Sequence, residues 1–259
     1  MTTKPTAWLG LALVVAVLLC AAFAPLLAPY APDSPSMAVL TGPSAAHWFG
    51  TDELGRDVLS RVIYGTRTSL LIGGGAAVVA MLIGVPIGLA SGYLGGWIDV
   101  AAAPVIDLFI ALPALVLALI ITAMIGPSVQ NLVAVLGFVM WPTVARLVRG
   151  QTLAVREMAF MEAAVAAGGS AAWIVSRHVL ANIAGVVAAQ FTLTVSLAII
   201  TSASLSFLGL GVPPPTPDWG SMVHTGYNFL GVNPVMSLGP GAAVALTVLG
   251  FYLAATSIE

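Results

Sequence analysis

Of 259 residues, only 7% are charged and 59% are hydrophobic, and the mean hydropathy is +1.06. Soluble domains carry about 25% charged residues, so a water-soluble fold of this length could not cover its surface, and the chain reads as an integral membrane protein. The net charge of −2 excludes a nucleic-acid binder, which needs a basic face. The single cysteine, Cys20, excludes a disulfide framework or a zinc cluster.

The positions of the charges mark the crossings. Uncharged stretches cover residues 5–32, 68–98, 108–145, 178–217 and 219–258. A spanning helix needs about 20 mostly apolar residues. The first stretch predicts a span at 8–28 and the second one at 69–91. The third divides at Gly126-Pro127-Ser128 into spans at 101–125 and 129–147, with Asp107 about two turns inside the first. The fourth predicts a span at 183–208 after a polar lead. The fifth starts as a loop (Asn228, Asn233, Pro234) and ends as a span at 235–258. The expected fold is an all-α polytopic membrane protein with six transmembrane helices. Continuous apolar runs without period-two alternation exclude an outer-membrane barrel. The first run is longer than the apolar core of a signal peptide and is read as an uncleaved helix.

Lysine and arginine set orientation. With the N-terminus inside, inner segments carry Lys4, Arg146, Arg149, Arg156 and Arg177, and outer segments carry Arg56, Arg61 and Arg67. This bias places the N-terminus in the cytoplasm.

Three polar segments separate the spans. In residues 47–68 (HWFGTDELGRDVLSRVIYGTRT), Thr51 is suited to cap a helix, with Asp52 and Glu53 in its first turn. Val58, Leu59, Val62 and Ile63 recur at helical spacing, and Asp57 and Arg61 lie one turn apart. This predicts a short amphipathic helix on the outer surface, either anchoring the fold or touching substrate. Residues 146–182 form the longest inner segment. Glu162-Ala163-Ala164-Val165-Ala166-Ala167 favours helix, and Gly168-Gly169 supplies its stop. A short alanine-rich helix of this kind either docks into a groove on another protein or packs on its own bundle. In residues 204–219 (SLSFLGLGVPPPTPDW), four prolines end the fifth span near Leu208 and stiffen the turn that follows.

No catalytic constellation is visible. His47, His178 and His224 fall in three separate segments and cannot share a metal. Gly73-Gly74-Gly75 lies inside an apolar span with no Lys-Ser/Thr after it, so no Walker-type loop is present. Gly84, Gly88 and Gly92 repeat every four residues and predict close helix packing, within the chain or against a partner.

These segments together resemble the C-type permease subunits of dipeptide/oligopeptide ABC importers. Glu162-Ala163-Ala164, three residues and then Gly168, followed by Arg177-His178-Val179-Leu180, matches the inner signature of ABC-importer permeases. FGTDELGRDVLSR at 49–61, GWID at 96–99, ARLVRGQ at 145–151 and SLSFLGLGVPPPTPDWG at 204–220 match the C-type subunit. The resemblance covers residues 49–222, and the first and last helices match only in position and hydrophobicity.

The resemblance implies a type I importer bundle in the bacterial cytoplasmic (inner) membrane, with both termini cytoplasmic. Residues 1–68 would hold the first helix and the outer amphipathic segment, and residues 69–259 the permease core. Loop 146–182 would couple to an ATPase through Glu162, Ala163, Ala164, Gly168 and Arg177. Gly50, Thr51, Asp52, Gly55, Arg56 and Asp57 would form the outer family motif. The partners implied are a second homologous permease, two ATP-binding subunits (or one fused), an extracytoplasmic peptide-binding protein and the lipid bilayer, with no nucleic acid. This chain would bind no cofactor and catalyse no reaction; ATP and Mg2+ would sit in the ATPase subunits.

Four features depart from the family pattern. Ala181 replaces a proline, and the exit from loop 146–182 is expected to be less kinked. Pro104 replaces an arginine, which leaves Asp99 and Asp107 without that local partner. Ser202 replaces a buried glutamate. The sequence stops at Glu259, where relatives usually continue into a short charged cytoplasmic tail. The same architecture would also serve nickel-chelates or another small solute. An ion-coupled carrier needs an ionisable relay in the membrane, and only Asp107 qualifies.

Overall fold

The computed structural model describes residues 5–256. Among these, the regular elements are helical, and β-pairing is confined to two isolated bridges, Pro35 with Arg56 and Thr51 with Asp57. The helices are α1 (Pro5–Ala22), α2 (Ala24–Leu27), α3 (Val58–Leu94), α4 (Gly96–Ala111), α5 (Ala114–Ile125) and α6 (Val129–Arg156). They continue as α7 (Ala159–Ala166), α8 (Ala171–Ile174), a π-helical turn (Val175–Val179), α9 (Leu180–Phe207), α10 (Trp219–Tyr227) and α11 (Val235–Ala255).

Four helices are long and apolar enough to cross a membrane: α3, α6, the continuous run Ala171–Phe207, and α11. The pair α4–α5, bent by 87°, makes a fifth candidate as one broken span. α1 is apolar throughout but shorter, at 18 residues.

The outer segment differs from its sequence reading. Thr51 does not cap a helix; its hydroxyl meets the Thr41 backbone N–H at 3.1 Å, inside a loop. Gly50 and Gly55, both with φ +74°, turn that loop. Asp57 caps α3 instead, accepting the Ser60 backbone N–H at 2.8 Å. From there α3 continues through Thr68-Ser69 without a break. The amphipathic stretch is therefore the first turns of the second span, not a separate surface helix.

The expected straight helix at 101–125 is two helices. Leu112, which precedes Pro113, is extended at φ −84° and ψ 132°, because the proline ring disfavours helical geometry in the residue before it. The polar lead into the fifth span is itself helical: α8 and the π turn run into α9 with no interruption. At the far end of α9, Gly209 (φ +85°) closes the helix, and the Leu210 N–H bonds the Leu205 carbonyl. The expected span at 235–258 is α11 as far as Ala255; residues 257–258 lie outside the described residues.

Helix α10 occupies a stretch read as loop. Asp218 accepts the Ser221 N–H at 3.0 Å and starts it, and buried Trp219 donates its indole N–H to the Val62 carbonyl at 2.9 Å. The Asp-x-x-Ser spacing was the available signal.

The glycine stripe of α3 packs on α6 within this chain. A Cβ at Gly84 would stand 2.7 Å from the Trp141 carbonyl oxygen, one at Gly88 2.6 Å from the Ala145 oxygen, and one at Gly92 2.7 Å from Thr152 Cβ. Residue numbers rise together along this seam, so α3 and α6 run parallel, and α4–α5 carries the chain back between them. The core centres here, on Ile72, Leu132, Leu136, Val144 and Val148, with Ile183 and Leu205 from α9. α1 runs antiparallel to α11: Gly10 faces Leu253 and Ala254, and Gly250 faces Leu13. Arg67 holds the other end of α1 through the Ala21 and Ala22 carbonyls, at 2.6 and 3.0 Å. The start of α1, the end of α11 and the α6–α9 connection thus share one end of the bundle.

Candidate functional site

Two constructions mark the ends of the bundle. The first is α7, the short helix between α6 and α9. Met161 is its one buried residue; Glu162, Ala163, Val165, Ala166 and Ala167 are exposed. An eight-residue helix is too short to persist on propensity alone, and its C-terminus is locked by geometry. Gly168 adopts φ +82°, its N–H bonds the Val165 carbonyl at 2.9 Å, and the Gly169 N–H bonds the Ala164 carbonyl at 3.2 Å. This pair of bonds satisfies carbonyls that the helix end would leave open, and the left-handed residue between them favours glycine.

Grooves flank α7 on both sides. One, of about 430 Å³, is lined by Phe160, Ala164, Ala167, Gly168, Trp173 and His178. The other, of about 480 Å³, is lined by Tyr93, Arg156, Met161, Glu162, Val165 and Ala166. The His178 ring meets Trp173 edge-on at 4.7 Å. Of the residues singled out in the sequence, Glu162, Ala163, Ala164 and Gly168 share α7 and its stop. Arg177 lies apart from them, exposed in the π turn beside His178. Sequence reasoning missed the contribution of Tyr93, which comes from α3; Arg156 closes α6 just ahead of α7.

At the opposite end, the outer motif closes into a buried network of charges. Asp52 accepts the backbone N–H groups of Leu54 and Arg56, both at 2.9 Å, and the Arg56 Nε at 2.7 Å. Asp57 accepts the Ser60 hydroxyl at 2.7 Å and meets His47 Nδ1 at 2.9 Å. Arg61 donates to the Pro32 carbonyl at 2.9 Å, to Asp33 at 3.1 Å and to the Pro215 carbonyl at 3.3 Å. The expected side-chain pair between Asp57 and Arg61 does not form; each turns to a different loop. Asp52, Asp57 and Arg61 are each at most 5% exposed, so this motif is not a solvated face. It ties loops 30–57 and 213–217 to the first turns of α3. Asp33, His47 and Pro215 could not be paired with it from sequence, because they come from separate loops. Nearby, burial pushes the Asp218 carboxyl above the ordinary range, against the pull of the N–H groups it caps.

Asp99 and Asp107 both find partners on α6. Arg149 holds Asp99 through two bonds of 2.5 and 2.6 Å, and the Ser91 hydroxyl donates to the same carboxylate. Arg146 pairs with Asp107. Both aspartates are thus paired from α6, with no arginine at position 104. Among the described residues, no group of three or more His, Cys, Asp or Glu side chains could hold a metal ion.

Long apolar helices around glycine-lined seams, with the polar work confined to the two ends, define a multi-pass inner-membrane protein. The chain belongs to the family of binding-protein-dependent transport system inner membrane components, whose profile matches residues 84–259. A second profile, the N-terminal TM domain of oligopeptide transport permease C, matches residues 2–43. The family match therefore reaches both ends of the chain, beyond the 49–222 that the motifs covered. The chain is 41% identical to the dipeptide transport system permease protein DppC of Alkalihalophilus pseudofirmus over 244 residues, 93% of this chain and 80% of that protein. It is 40% identical to the glutathione transport system permease protein GsiD of Pectobacterium atrosepticum, over 82% of this chain and 70% of that protein. It is 39% identical to the probable D,D-dipeptide transport system permease protein DdpC of Escherichia coli, over 93% and 81% respectively.

Proposed function

We propose that this chain is one of two permease subunits forming the translocation pathway of an ATP-driven importer for dipeptides or related short peptides. In this reading it crosses the membrane six times, with α1, α3, α4–α5, α6, the helix ending in α9, and α11 as the spans. Both termini and α7 face the cytoplasm. ATP and Mg2+ bind to two partner ATPase subunits, and an extracytoplasmic binding protein delivers cargo at the end closed by the charge network. The relatives' names support the cargo class, since each denotes a dipeptide or glutathione transport system.

The observation that carries the coupling role is the surface of α7. Its outward residues, Glu162, Ala163, Val165, Ala166 and Ala167, are exposed between two grooves, and its end is fixed by the Gly168 turn. Small side chains let a cleft approach the helix backbone closely, and a rigid stop transmits force instead of absorbing it. Closure of the ATPase pair would push α7, and the continuous helix from α8 through α9 would carry the motion to the far end of the bundle. An ion-coupled carrier is the weaker account, because Arg146 already neutralises its one candidate relay, Asp107. The test is a cysteine at Ala166 in a chain with Cys20→Ala, treated with a short bifunctional thiol reagent in the purified complex. A cross-link to an ATPase subunit that changes with nucleotide is expected; capture of the partner permease alone would defeat the assignment.

A further inference from the structure

At the outer end, loop 51–57, the first turns of α3, loop 213–217, α10 and the start of α11 enclose a cavity of about 80 Å³. Its apolar wall is Val58, Met222 and Met236, each at most 8% exposed. Glu53, Thr216 and Thr225 supply its polar side, and exposed Pro214 and Thr216 mark its mouth.

The charges around this cavity do not balance. Asp52 and Glu53 pair with Arg56, and Asp33 and Asp52 with Arg61, so three carboxylates share two guanidinium groups. Asp52 is engaged by two backbone N–H groups and the Arg56 Nε. Asp33 takes a 3.1 Å bond from Arg61 and is half exposed to water. Glu53 holds the surplus. Its Oε1 lies 3.5 Å from Arg56 Nη2, the limit of a hydrogen bond, and its Oε2 is buried with no partner among the described residues. A buried acceptor left in this state is costly. The terminal torsion of a glutamate is soft, so the carboxylate can turn into the cavity it lines without moving the backbone.

The missing group is a cation that donates hydrogen bonds; water would satisfy Oε2 and leave the charge. A primary ammonium carries three donors and no acceptor, a complement that Glu53 and the hydroxyls of Thr216 and Thr225 provide. The wall of Val58, Met222 and Met236 suits the aliphatic stem of a lysine, whose methylenes pack on apolar surface behind the charged head. A free dipeptide fits less well, because its ammonium stands beside the peptide carbonyl with no stem to lay on that wall.

Resting on the importer reading above, we infer that this cavity receives a lysine side chain of the extracytoplasmic binding protein, with Glu53 as its counter-ion. The cavity lies at the end where that protein would deliver cargo, and a single charge pair seated in a shaped pocket fixes the register of docking.

The test uses the complete complex in nanodiscs together with its binding protein. A carbodiimide joins a carboxylate to a lysine in direct contact, so a cross-link from Glu53 to a lysine of the binding protein is expected, and its loss in Glu53→Gln. Docking affinity measured without peptide is expected to fall roughly tenfold in Glu53→Gln. Thr216→Trp, which fills the exposed mouth and leaves Glu53 in place, is expected to weaken docking as well. ATP-dependent uptake of a radiolabelled dipeptide by the parent complex is measured in parallel; intact docking without such uptake would count against the importer reading alone. Parent-level docking by Glu53→Gln would overturn the inference, and if its uptake then needed more peptide, the ammonium would be the cargo's. A docked parent complex with no cross-link at Glu53 would overturn it too.

Discussion

Replacing Gly168 by valine isolates the coupling surface from the rest of the protein. Gly168 adopts φ +82°, and a Cβ built there meets no other atom of the chain within 4 Å. The substitution therefore creates no clash in the bundle, and its internal cost is the left-handed backbone alone, about 1–2 kcal/mol for a residue with a Cβ. That is about a tenfold loss in the population of the ordered helix end, because only two hydrogen bonds, from Gly168 and Gly169, hold the stop of an eight-residue helix. Valine also adds branched bulk on the surface where an ATPase cleft would sit. Insertion and cellular level are expected to stay normal, while uptake by the assembled complex falls at least about tenfold. Asparagine at the same position tolerates positive φ and is expected to be milder on helix order. Uptake is measured alongside co-purification of the ATPase subunits. Normal uptake by Gly168→Val with stoichiometric ATPase would refute the reasoning, since neither helix order nor close approach would then matter.

Gly88→Leu is expected to fail differently: its side chain would begin 2.6 Å from the Ala145 oxygen, forcing α3 from α6 and lowering thermal stability in detergent by about 1–3 kcal/mol. Arg61→Met leaves Asp33 and two carbonyls without their donor, while Arg56 still holds Asp52, and unfolding of the purified complex is expected to come earlier by roughly 1–3 kcal/mol. Asp218 has its folded-state pKa raised by burial, so its contribution to stability is full below the ordinary carboxylate range and is lost as pH rises through the raised value. Asp218→Asn keeps a capping side chain and is expected to flatten that pH dependence; an unchanged slope in melting curves across this window would count against the burial argument. For topology, Met37→Cys is expected to react with an impermeant thiol reagent in intact cells and Ala166→Cys only after permeabilisation, both in the Cys20→Ala background. Ser60 is unsuitable as the outer probe because it is fully buried against Asp57.

What could be read in the sequence was what local chemistry decides. The Gly126-Pro127-Ser128 break, the end of α9 before Gly209, and the α7 helix with its Gly168 stop all follow from residues within a few positions of one another. What escaped depended on distant partners. Thr51 and Asp57 are both competent helix caps; Asp57 takes the role because Gly50 and Gly55 turn the preceding loop and His47 comes back to hold it. Asp99 and Asp107 looked unpartnered because their arginines lie 50 and 39 residues away, on a helix whose parallel packing no local pattern announces. Within the candidate site, α7 itself was legible. Its grooves were not, because one is completed by Tyr93, which reaches it from the end of α3.

The most direct test of the central claim is reconstitution of this chain with its partner permease, the two ATPases and the binding protein in proteoliposomes. Uptake of a dipeptide should require Mg2+-ATP, persist after ionophores collapse every ion gradient, and vanish when this chain alone is omitted. Uptake driven by an ion gradient without ATP, or undiminished in the absence of this chain, would contradict the account.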